Sequence, residues 1–377
     1  MDLDNTENQV APQPASSEEA EEKQQEPAVE YSLSGGITSL LTRLNISLAF
    51  SSYQSGYLYM LGNLPNGRPH LHQSAMQKPM GLAHDNNGGL LLTTGFQVME
   101  FANILQPDEK INNAFDLCYM PRTVHFTGRL DAHDVAADAD GRIIFVNTRY
   151  NCLATLSPKH SFEMIWKPDF ISALVDEDRC HLNGLAMEDG RPAYVTAVSR
   201  SDTIDGWRDR RAAGGIVIDV RAGKIVCTGL SMPHSPRIHN GRLWILNAGT
   251  GELGIVTPAA DGEETGHFEP VVFCPGFLRG LSFYNNLAFV GLSKPRYKRF
   301  EGLALDSRLE ETDSEPWCGV QVIDLEKRCC VDWFRIDGAV AELFDVCVIP
   351  GFTCPMTVSP GTPDSINLIT HKPLRNG

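Results

Sequence analysis

His234-Ser235-Pro236-Arg237, followed by Gly241-Arg242-Leu243-Trp244-Ile245-Leu246, joins a small polar segment through a turn to an apolar strand. The unit returns as Met80-Gly81-Leu82-Ala83 with Gly89-Leu90-Leu91-Leu92, and as His133-Asp134-Val135-Ala136 with Ile143-Ile144-Phe145-Val146. Asn183-Gly184-Leu185-Ala186, Arg279-Gly280-Leu281-Ser282 and Phe344-Asp345-Val346-Cys347 complete the set. Successive copies lie about 50 residues apart, the last step being the longest. A strand-built repeat of that length is the signature of a β-propeller with about four strands per blade. Six copies predict six blades.

Working outward, the segments between copies are short runs rich in Val, Ile, Leu, Phe and Tyr, separated by Gly, Asn, Asp and Pro. Those are strands and turns, so the fold class is all-β. The best helical candidate, residues 161–175, is interrupted by Pro168. Too little chain follows Phe344 to complete a blade. Strands expected at 47–52, 56–62 and 68–75 would pair with the C-terminal strand, closing the ring and removing free sheet edges. The expected organisation is an acidic disordered tail at 1–35, a single six-bladed propeller at 36–360 and a C-terminal tail at 361–377.

The chain has 377 residues, 42% hydrophobic and 21% charged, with a formal net charge of −15. Residues 1–30 hold nine acids against Lys23 and almost no aromatics, a composition that cannot offset its ordering entropy. An acidic tail on an acidic body argues against nucleic-acid partners, which need a basic footprint. No apolar run approaches the roughly 20 residues of a membrane span. A secretory signal is not recognisable either. The ten cysteines form no C-x-x-C, and many sit inside apolar strands as small core residues, so a reducing cytoplasm is the expected location.

The residues also carry a resemblance. Asp178-Arg179-Cys180-His181-Leu182-Asn183-Gly184-Leu185-Ala186, Pro233-His234-Ser235-Pro236-Arg237 with Gly241-Arg242-Leu243-Trp244 and Gly249-Thr250-Gly251-Glu252-Leu253, and Pro275-Gly276-Phe277-Leu278-Arg279-Gly280-Leu281 resemble an uncharacterised, mainly bacterial family of conserved hypothetical proteins. The likeness spans about residues 40–360. It implies a place near the six-bladed propellers of the YWTD, gluconolactonase and strictosidine-synthase kind. The acidic metal-ligand set of the metal-dependent lactonases has no counterpart here, so lactonase activity does not follow.

In a propeller the first strand of each blade lines the central channel, and equivalent positions of the repeats converge. Here that ring is Met80, His133, His181 or Asn183, His234, Arg279 and Asp345. His133, His181 and His234 form an expected ligand set for a divalent transition metal, Fe, Cu or Zn, with one coordination position open for catalysis. His181 stands two positions ahead of the repeat register, so its convergence requires a bulge. Asp131, Asp134 and Asn183 are near enough in sequence to orient the imidazoles. Without a metal, one His would act as general base and Arg279 would hold an anion.

Arg237 and Arg279 read either as clamps for a carboxylate or phosphate or as members of internal salt bridges, for instance to Asp345 or Glu252. Asp345 and Asp134 would handle protons. Residues 199–214, with Trp207 and Arg208, and the insertion at 294–316, with Arg296, Tyr297, Lys298 and Arg299, are expected as loops over the site. Gly249-Thr250-Gly251-Glu252-Leu253-Gly254 matches a dinucleotide fingerprint but runs into a strand, so no nucleotide is expected. The remaining eight histidines are read as surface or turn residues. The leading expectation is a metal-dependent enzyme acting on a small polar or anionic substrate, its reaction being a hydrolysis, elimination, isomerisation or oxidation. The competing one is a non-catalytic propeller that binds a peptide or partner protein.

Overall fold

The computed structural model describes residues 29–295 and 302–371. Six antiparallel sheets are arranged as a six-bladed β-propeller. The innermost strands of blades 1 to 6 are Leu82–His84, Ala132–Ala137, Leu182–Glu188, Pro233–His239, Phe277–Tyr284 and Asp345–Pro350. Blade 6 joins the two ends of the chain: Asp345–Pro350 pairs with Ile46–Ser52, and Tyr57–Asn63 and Pro69–Ala75 complete the sheet. The mixed closure expected from the sequence is thus the one observed.

Apolar alternation on both faces of each sheet packs blade on blade. One hydrophobic cluster lies at each of the six blade interfaces, for example Leu91 and Val98 of blade 1 against Val135, Phe145 and Cys152 of blade 2. All ten cysteines are free, and eight are buried. Hydroxyl groups near the end of the second strand tie neighbouring blades at the channel. Thr93 donates to Ala132 O at 2.8 Å, Thr148 to Leu182 O at 2.6 Å and Ser293 to Leu343 O at 3.1 Å. Ser51 does the same to Met80 O across the closure.

The inner strands carry a second recurring device. In blades 2 to 5 the pairing register slips by one residue where the repeat anchor sits, at His133 and Asp134, at Asn183, at Ser235 and Pro236, and at Arg279 and Gly280. A bulge re-aims two consecutive side chains. In blades 2 and 5 the first, His133 or Arg279, turns to the mouth of the channel. The residue after the anchor histidine reaches the next blade: Asp134 of blade 2 accepts from Leu185 N at 2.9 Å, and Ser235 Oγ of blade 4 accepts from Gly280 N at 3.0 Å. Gly280 has φ of 84°, and a Cβ there would lie 2.5 Å from Val346 N, so the approach of blade 6 requires glycine.

Several features differ from expectation. The expected N-terminal tail lies outside the described residues up to residue 28, and Tyr31–Leu33, ahead of the expected boundary at 36, adds a strand to the outer edge of blade 5. Pro355–Thr357 adds a parallel strand to blade 1. Residues 161–175 contain the strand Glu163–Trp166 and no helix. Helices form instead at Ile37–Leu44 and Ala304–Glu311, with a single turn at Pro363–Asn367 inside the expected C-terminal tail. The first buries Ile37, Leu40 and Leu41 and stops at Asn45 in the left-handed conformation. The insertion at 294–316 is therefore not all loop: Leu305 and Leu309 are buried in the core between blades 4 and 5. Its Arg296, Tyr297, Lys298 and Arg299 lie outside the described residues.

Candidate active site

One mouth of the channel holds a pocket of about 260 Å³ lined by Met80, His133, His181 and Arg279 of the expected ring, together with Lys78, Asp131 and Met232. Lys78, Asp131, His181 and Met232 share one backbone feature. Each precedes the channel position of its blade by two residues and has a left-handed backbone, with φ of 59°, 52°, 52° and 49°. A non-glycine residue held there stores strain of order 1 kcal/mol or more. The strained residues and the bulge residues His133 and Arg279 together form much of the pocket wall. His181 converges through this left-handed entry, with the bulge at Asn183 following it.

His181 is held on two sides. Its Nδ1–H donates to the Asp178 carboxylate, 2.9 Å to Oδ2, and its ring stacks on Trp207 with centroids 4.2 Å apart. Trp207 Nε1–H donates to the same Asp178 oxygen at 3.0 Å. With Nδ1 engaged, the neutral ring carries its lone pair on Nε2. Trp207, Arg208 and Arg211 of the 199–214 loop line the pocket as expected of a covering loop, and the Arg208 guanidinium lies 4.5 Å from the Trp207 ring.

His133 stands 5.0 Å from His181, ring to ring. Its Nδ1 is 2.8 Å from both Asp131 O and Thr148 Oγ1. Thr148 gives its one proton to Leu182 O, and a carbonyl can only accept, so Nδ1 must be the donor and Nε2 the lone pair. Burial pushes His133 down to about 4, opposed by Asp131 and reinforced by His181 and Arg279. Burial pushes the Asp131 carboxyl up, but His133, Lys78 and His181 together hold it below its usual value. Lys78 Nζ lies 3.5 Å from Asp131.

The Arg279 guanidinium sits among the rings of Phe344, Phe277 and Tyr53, at 5.1, 5.5 and 6.0 Å from their centroids. Tyr53 lines the pocket and its hydroxyl donates to Glu342, which is 6% exposed. Burial pushes Glu342 up to about 7 against the opposing charge of Arg279. Neither Tyr53 nor Glu342 was among the residues picked from the sequence, because both lie outside the repeat register, in the turns flanking the closing strands. Their signal was a tyrosine and an acid set at the two halves of the closure.

The other expected site residues are elsewhere. Arg237 donates to both oxygens of Asp134, at 2.8 and 3.2 Å, and lies 3.9 Å from Asp345. Asp345 accepts from Leu82 N and Val346 N, both at 2.8 Å. These three are an internal ion cluster tying blades 2, 4 and 6, so Arg237 is not a substrate clamp and Asp134 and Asp345 do not line the pocket. Burial pushes Asp345 up to about 7, opposed by Arg237 and reinforced by Asp134. Asn183 accepts from Thr196 Oγ1 at 2.7 Å and also lies outside the pocket.

The expected three-histidine metal set is not assembled. Among the described residues no group of three or more His, Cys, Asp or Glu is spaced to hold a metal ion. His234 is 4% exposed, sits against Phe277 rather than on the pocket wall, and its buried Nε2 has no partner. Burial drives it well below its ordinary value, and Arg279 adds to that before His133 and His181. A guanidinium whose charge presses on both imidazoles is the wrong neighbour for a bound cation. Residues 249–254 run into the strand Glu252–Thr257, as the discounting of a nucleotide fingerprint required.

The family model for "Domain of unknown function (DUF4915)" matches residues 35–358, and the chain belongs to that family. No curated protein matches it in sequence. Among solved structures, a chain of the nidogen/laminin complex is 13% identical, with 81% of this chain and 99% of that one covered and a TM-score of 0.50. A putative gluconolactonase is 12% identical over 71% of this chain and 80% of its own, with a TM-score of 0.45. Virginiamycin B lyase from Staphylococcus aureus is 12% identical over 65% and 73%, with a TM-score of 0.37. At such identities the likeness is one of fold alone. Two of these neighbours carry enzyme names. No described helix is long and apolar enough to cross a membrane.

Proposed function

We propose, with membership of that family and its propeller fold as premise, that the protein is an enzyme performing metal-independent acid–base chemistry on a small anionic substrate. The observation that carries the reading is the Asp178–His181 dyad, stacked on Trp207 and opening on a pocket whose floor holds Arg279. Among the residues lining the pocket, Lys78, Arg208, Arg211 and Arg279 outnumber Asp131 and Asp178, a cationic mouth on a chain of net charge −15. Such a field draws anions.

In this reading Arg279 holds a carboxylate or phosphate of the substrate, its fork matching either group. His181 Nε2 takes a proton from the substrate, and the imidazolium formed is stabilised by Asp178, a positioning residue that also fixes the tautomer. The same nitrogen returns the proton at the end of the cycle. His133 Nε2 accepts a hydrogen bond from a substrate hydroxyl or a water. The Tyr53–Glu342 pair, on the wall beside Arg279, supplies a second proton-handling group.

The test is incubation of the purified protein with a pool of small carboxylates and phosphate esters in D2O, followed by mass spectrometry. At least one anion is expected to be converted or deuterated by the wild type and by neither His181→Gln nor Arg279→Gln. No turnover by the wild type, or full turnover by His181→Gln, overturns the proposal. One equivalent of iron, copper or zinc bound to the wild type and lost in His133→Ala overturns its metal independence.

A further inference from the structure

A second cavity, of about 520 Å³, opens on blades 1 and 2 beside the first. The two share Lys78 and Asp131, both held in the left-handed conformation. The outer cavity adds Arg129, Arg149 and Phe96. Arg149 pairs with Asp176, while Arg129 is exposed and has no ion-pair or side-chain hydrogen-bond partner among the described residues. Phe96 lies 6.1 Å from Phe126, which is 73% exposed. Gly95 lines the same cavity, and a Cβ there would lie 3.2 Å from Lys78 Cδ, so the stem of Lys78 packs closely on this loop.

Phe126 is exposed, Phe96 is half-buried and Arg129 has no partner among the described residues, and two adjoining cavities with a strained common wall make one cleft open to a ligand with apolar and anionic parts. We infer that the catalytic pocket continues into a second anion subsite formed by Lys78, Arg129 and Arg149, and that the substrate is an elongated dianion bridging the two. The inference rests on the reading of Arg279 as the anion clamp of the inner pocket. One anionic end meets Arg279 and the other meets Arg129. An apolar middle crosses the Lys78–Asp131 pair toward Phe96.

The test is calorimetric titration with the α,ω-dicarboxylates from malonate to suberate, the phosphonocarboxylates of matching length, and the monocarboxylate of each length. At one chain length the dianion is expected to bind about tenfold more tightly than its monoanion. Arg129→Gln should reduce that dianion to the affinity of the monoanion, and Arg279→Gln should weaken both. Whether the carboxylate or the phosphonate series shows the preference identifies the outer group. Equal affinity of mono- and dianions at every length, or a dianion preference that survives Arg129→Gln, overturns the subsite. Anion binding indifferent to Arg279→Gln overturns instead the reading of the inner pocket, even where the Arg129-dependent preference persists.

Discussion

Arg237 and Arg279 issue from neighbouring inner strands, and the sequence offers them as equals, yet the fold uses them in opposite ways. Arg237 meets a carboxylate from blade 2 in bidentate contact and lies against another from blade 6, every partner being part of the ring. Arg279 turns to the mouth, framed by aromatic rings and exposed to a pocket. What separates them is the bulge: in blade 5 it carries Arg279 outward, whereas Arg237 follows the bulge of blade 4 and points back to the axis. A channel arginine faces the pocket when it lies within the bulge, as Arg279 does, and joins the ring's ion cluster when it follows the bulge, as Arg237 does.

Five variants can break or sharpen the contrast. Arg237→Met should lower stability to urea by about 3–5 kcal/mol, because it leaves Asp134 buried without its counter-charge. If stability held while anion binding vanished, the two roles would have to be exchanged. Next in size is the response to acid. His133 is neutral in the folded protein down to about 4, whereas its unfolded value is 6.5, so the unfolded chain binds the extra proton between them. His133 therefore takes stability away as pH drops from 6.5 toward 4, by about 3 kcal/mol from this residue, and His133→Gln should remove that contribution.

Asp345 works with the opposite sign. Its folded value of about 7 lies above the ordinary 3.8, so it contributes stability that is present below 3.8 and lost as pH rises through 7. Asp345 at the axis, and Glu342 beside Arg279 with its folded value of about 7, thus oppose His133 on the acid limb, and Asp345→Asn should remove part of that opposition. Arg279→Gln should weaken binding of inorganic phosphate by roughly 10–100-fold, with the urea midpoint nearer to wild type than that of Arg237→Met. Ser235→Ala is the smallest effect, about 1 kcal/mol in urea unfolding, since it strands the buried Gly280 N–H.

Much of the fold was legible because each blade repeats one local pattern. The closing strands too could be read, since residues 47–75 have no inner strand of their own. The short helix Ile37–Leu44 escaped, because two turns give too few apolar positions to display a period. At the site, His133, His181, Trp207, Arg208 and Arg279 were legible as polar residues in or near the repeat register. Their convergence on a metal was not. Two residues apart on a strand means the same face only without a bulge or a left-handed residue, and here both intervene. Glu342 stayed hidden because its chemistry comes from burial and from Tyr53, 289 residues away.

The closure of blade 6 by both ends of the chain has a kinetic consequence. The hydrogen bond from Asp345 N to Ser51 spans 294 residues, so the joint depends on contacts of very high sequence separation, which form slowly. Tyr53 and Phe344, which frame Arg279, flank that joint. Blades 1 to 4 can stack in order as local units, but the pocket is complete only after the ring has shut. Assembly of the anion site is therefore a report that folding has finished, and a chain arrested one blade short presents its histidines without the arginine's aromatic frame.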